Sequence, residues 1–128
     1  MILEFYQNIG KLFYAIAAAD KKVHPTELSK LKGLVKEKWL DVDLTENDES
    51  KDAAKHIEIV FDRLKNKALD AETCFEDFLT FKKNHPSLFT ADVKMLIMKT
   101  ANGIATSFSG LNKSELIMLA KLDIELKN

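Results

Sequence analysis

The sequence predicts an all-α fold, a compact bundle of about six helices that contains two related helical hairpins. Three observations lead there. Apolar residues recur at three- and four-residue steps along nearly the whole chain, the spacing of one helix face. Glycine (4) and proline (2) are too scarce in 128 residues for the many tight turns of an all-β fold. A composition that is 46% hydrophobic and 30% charged suits a chain that buries a real core, and this length suits one domain over residues 1–128.

Each element follows from its stripe. Ile2, Phe5, Ile9, Phe13 and Ile16 mark a first helix over about residues 2–20. Leu28, Leu31, Val35 and Trp39 mark a second over about 25–40, with Pro25 suited to its first position. The acidic run DVDLTENDES then reads as a loop. Ala53, Ile57, Val60 and Leu64 mark a third helix, and Ala71, Cys74, Phe78 and Phe81 a fourth. The fourth is expected to end before His85-Pro86, because a residue preceding proline is pushed out of the α region. Val93, Ile97, Thr100, Ile104 and Phe108 mark a fifth, and Leu116, Leu119, Leu122 and Leu126 a sixth. Asn102-Gly103 inside the fifth reads as a packing notch.

Charge and composition exclude some functions. A net charge of −1 provides no field to recruit nucleic acid. No run of about 18 apolar residues exists to make a transmembrane helix. MILEFYQNIGKLFYAIAAAD lacks a basic start and is interrupted by Glu4, Gln7, Asn8 and Lys11, so it is not read as a signal peptide. With a single cysteine, Cys74, no intramolecular disulfide can form, and its place on an apolar stripe predicts a buried thiol. A cytoplasmic protein is expected.

The helices contain a repeat. Shifting the chain from Glu27 to Glu115, an offset of 88, lays IAAADKKVHPTELSKLKGL over IATSFSGLNKSELIMLAKL without a gap. Ile16 meets Ile104, Ala17 meets Ala105, and Leu28, Leu31 and Leu34 meet Leu116, Leu119 and Leu122. The unit is a helix–turn–helix used twice, expected to pack about a pseudo-two-fold axis. Each second helix carries Glu at its third position, near the positive end of the helix dipole, and Asn112 suits the N-cap of the second copy.

Two carboxylates stand out as candidate metal contacts, Asp20 and Glu27. Glu27 is accounted for as a helix cap, whereas Asp20 falls at the negative end of the first helix and calls for compensation. Hard cations take several oxygens, and a turn can add backbone carbonyls to two carboxylates. His24 could join them. Asp41, Asp43 and Thr45 imitate the start of a calcium loop, but Glu46 replaces its glycine and Asp52 its bidentate glutamate, so a solvated acidic loop is expected. His24, His56 and His85 lack zinc spacing, and His56 is expected to pair with Asp52. Motifs for a serine nucleophile, a zinc protease or a phosphate loop are absent from the sequence.

With FYQNIGKLFYAIAAADKKVHPTE, IEIVFDRL and TANGIATSFSGLNKSEL, the chain resembles the TerB-like family named for tellurite resistance, from Phe5 to about Leu126. The resemblance implies an all-helical bundle with an internal pseudo-repeat and a non-enzymatic protein. It also implies a possible divalent cation and a partner in a stress-response assembly. Its usual turn, A-D-G, falls here on Ala19, Asp20 and Lys21, and its acidic positions on Asp20 and Glu27, with Glu115 in the second copy. Lys21 replaces the glycine, and Phe108 stands opposite Asp20. The alternative is a metal-free interaction scaffold using the acidic 41–52 loop or a groove between the hairpins.

Overall fold

The computed structural model describes residues 2–39, 54–107 and 113–127, and all the regular structure in them is helical. Six α-helices follow in order: α1 (Ile2–Ala17), α2 (Pro25–Leu34), α3 (His56–Lys67), α4 (Ala71–Asn84), α5 (Ala91–Ala105) and α6 (Lys113–Lys127). A wider π-helical turn, Val35–Trp39, extends α2, and a short 3₁₀ turn, Pro86–Leu88, links α4 to α5. The acidic 41–52 loop, the Asp52 partner expected for His56, Phe108 and the Asn112 cap lie outside the described residues.

The first helix is the centre of the fold. α1 packs against α3, α4, α5 and α6, and every residue from Leu12 to Ala17 is buried. Such enclosure needs one close approach, and Gly10 supplies it. A Cβ there would lie 2.8 Å from the Ile57 carbonyl oxygen and 3.0 Å from Val60 Cβ, so the α1 backbone lies directly against the backbone of α3. Gly103 makes the expected notch in α5, where a Cβ would stand 3.0 Å from Leu34 Cδ1.

Helix ends follow local chemistry. The Asp70 carboxylate accepts from the Thr73 N–H at 3.0 Å and opens α4, and the Thr90 hydroxyl accepts from the Val93 N–H at 3.2 Å and opens α5. The fourth helix ends at Asn84 as expected, with the His85 ring tilted against that of Phe81, centroids 4.5 Å apart. The first helix ends earlier than expected, at Ala17 rather than near residue 20. There the Ala19 and Lys21 N–H groups reach back three residues, to Ile16 and Ala18, and Lys21 turns into the left-handed region at φ 70°.

An aromatic cluster anchors α2 and its π turn. Trp39 lies edge-on to Tyr6 and Phe13, and its indole N–H donates to the buried Thr100 hydroxyl at 3.0 Å. Cys74 is buried as expected. The repeat is visible in burial as well as in sequence: Ile16 and Ile104, Ala17 and Ala105, Glu27 and Glu115, and Leu31 and Leu119 are each buried pairs. Leu28 and Leu116 depart from it, since Leu28 packs on the core and Leu116 is 54% exposed.

Candidate functional site

The turn between α1 and α2 places both sequence-derived carboxylates, but in different surroundings. Asp20 folds back on its own turn: one carboxylate oxygen accepts from the Lys22 N–H at 3.0 Å, and the other lies 4.0 Å from His24 Nε2. This Asx-type turn provides much of the compensation that Asp20 calls for. Its position also differs from expectation, three residues beyond the last helical residue of α1, where the dipole acts weakly.

Glu27 corrects the sequence reading more sharply. It caps α2 as expected, its Oε1 accepting from the His24 N–H at 2.8 Å, with Pro25 at the first helical position. A surface cap would leave the rest of the carboxyl in water. Here the side chain is 0% exposed, and its Oε2 meets no hydrogen-bond donor among the described residues. The carboxyl faces that of Glu115, which is 2% exposed and comes from the equivalent position of α6. Burial pushes the Glu27 carboxyl up to about 8, against the stabilising His24 N–H, and the negative Glu115 and Asp20 raise it further. Burial and the facing carboxyl thus favour the protonated form of Glu27.

The offset that pairs Glu27 with Glu115 in sequence was the available signal for this arrangement. A cap at the third helical position and a buried pair look identical in a linear pattern, because burial depends on which hairpin packs on which. Lys21 occupies the strained position of the same turn. The position that the A-D-G pattern gives to glycine is a left-handed one, at φ 70°.

As donors, Asp20, Glu27 and Glu115 are all oxygen, which suits a hard cation such as calcium or magnesium. Among the described residues, however, no three His, Cys, Asp or Glu side chains are gathered closely enough to hold an ion. The His24 imidazole lies by Asp20 and its backbone N–H donates to Glu27, whereas His56 opens α3 and His85 follows α4.

A separate cleft of about 690 Å³ opens beside the turn, between the end of α1, the α3–α4 junction and α6. Ala18, Val23, Ala71 and Met118 are among its apolar lining residues, and Lys21, Lys65, Asp70 and Glu72 are its charged ones. The Tyr14 hydroxyl donates to the Leu69 carbonyl at 2.6 Å and ties the junction to α1. No helix of the described residues is long and apolar enough to cross a membrane. Comparison with known proteins finds no matching family model, no matching curated relative and no matching solved structure.

Proposed function

We propose that the chain is a non-enzymatic, TerB-like helical module of a stress-response assembly, whose acidic centre takes up a divalent cation through Asp20 and Glu27, with Glu115 as the contribution of the second hairpin. The observation that carries this reading is the Glu27 carboxyl, fully buried and facing a second carboxyl. A buried carboxyl pair is satisfied either by a proton or by a positive ion. An ion there would supply charge neutralisation and bind the two hairpins together. Because Asp20 is engaged in its own turn, uptake calls for residues 18–24 to close on the pair.

Titration with calcium, magnesium and manganese, followed by calorimetry and by backbone amide shifts, tests this. The expected result is saturable binding that moves amides 18–24 and is lost in Glu27→Gln and weakened in Asp20→Ala. Unchanged binding in Asp20→Ala would remove the turn from the site. Absence of binding by all three ions would leave the metal-free scaffold, for which the cleft between the α1 end and α6 is the supporting observation.

A further inference from the structure

The cleft beside the first turn differs from the acidic centre in its charge. Four charged side chains line it: Lys21, Lys65, Asp70 and Glu72. Both acids are engaged within the fold. Asp70 accepts from the backbone N–H and the hydroxyl of Thr73, each at 3.0 Å, and Glu72 lies 3.8 Å from Lys121 across the adjoining hollow. Lys21 and Lys65 make no ion pair among the described residues. The cleft therefore presents two ammonium groups that make no ion pair among the described residues, beside the apolar lining residues Ala18, Val23, Ala71 and Met118.

Its rim is apolar as well. Leu69 is 46% exposed on one lip, and Ile117 is 48% exposed beside the adjoining hollow. Apolar side chains left open around a concave surface mark a place where something binds. At about 690 Å³, the volume falls in the range of small-molecule sites. The backbone adds an independent observation. Lys21 and Ala68 are the two non-glycine residues of positive φ among the described residues, and both line this cleft. Glycine would hold either position without strain. Lysine at residue 21 accepts that strain and carries its charge to the edge of the cleft.

We propose that this cleft is a binding site for a small organic carboxylate with an apolar body, its acyl portion lying along Ala18, Val23, Ala71 and Met118 and its carboxylate held between Lys21 and Lys65. The site is distinct from the acidic centre, needs no metal, and would select against cations and uncharged homologues. Glu72 and Lys121 frame its far end, so a longer chain would extend toward Ile117.

Sodium octanoate serves as the probe, with octylamine and octanol of the same chain length as controls, each titrated into the full ¹⁵N-labelled chain. The expected result is saturable movement of amides at Ala19, Lys21, Leu69, Ala71 and Met118, with octanoate binding at least about threefold more tightly than octylamine. Lys21→Met and Lys65→Met, which keep the stem and remove the charge, should each weaken octanoate about three- to fivefold. Lys21→Gly separates charge from strain: it should fold at least as stably as the parent and still lose affinity as Lys21→Met does. Equal binding of octanoate and octylamine, affinity unchanged in both lysine variants, or no saturable movement of the cleft amides would overturn the proposal. So would shifts centred instead on the exposed Leu116 and Ile124 of α6.

Discussion

Replacing Glu27 by glutamine should stabilise the fold, and the gain should grow with pH. Glu27 keeps its proton in the native state up to about pH 8, whereas in the unfolded chain it ionises around its ordinary value of 4.5. Between those values the native state binds more protons than the unfolded state, so stability falls as pH rises. Each pH unit in that window removes about 1.4 kcal/mol for one proton. Below the window both states are protonated, and above it both are ionised, so the slope vanishes at each end. Glutamine stays neutral throughout, keeps Oε1 for the His24 N–H and offers an amide donor to Glu115. The variant should match the parent near pH 4.5 and exceed it by about 3 kcal/mol at pH 7. Urea unfolding at pH 5, 6, 7 and 8, read by the fluorescence of the single tryptophan, Trp39, measures the gap directly. Parallel pH profiles for parent and variant, or a variant less stable at pH 7, would refute the buried and protonated state of Glu27.

Three further outcomes test the packing. Thr100→Val should cost about 1–3 kcal/mol, because it leaves the buried Trp39 N–H without its acceptor, and the loss should be seen in the same urea transition. Tyr6→Phe should raise stability by about 1 kcal/mol, since the Tyr6 hydroxyl is buried without a partner among the described residues and its pKa is pushed up to about 12 by burial; thermal unfolding of the two proteins decides it. Ala68→Gly should stabilise by about 1 kcal/mol by relieving a left-handed alanine at φ 52°, whereas Gly10→Ala should destabilise by about 1–3 kcal/mol by forcing α1 away from α3, both measured by denaturant midpoints.

The six helices were legible in the sequence because each is an amphipathic stripe, and a stripe is a local property. Trp39, Ile57, Phe78, Ile97 and Leu122 were placed on apolar faces from spacing alone, and all are fully buried. Caps were legible where side chain and backbone lie within one turn, as with Pro25 and Glu27. The end of α1 was less so. Its stripe continues through alanines that fit helix or turn equally, and the left-handed Lys21 decides the boundary. The cleft gave no linear signal, since its walls come from α1, the α3–α4 junction and α6.

By itself, the sequence determined the helical class, the order of the elements, the 88-residue correspondence of Glu27 with Glu115, and the identity of the turn carboxylates. All of these depend on residues near one another in the chain. Only the tertiary structure decided that Asp20 closes its own turn while Glu27 is sealed from water against Glu115. The physical reason is that a carboxylate's chemistry is set by its solvent. The same helix-capping glutamate is an ordinary surface acid in water and a protonated buried group once a second hairpin covers it.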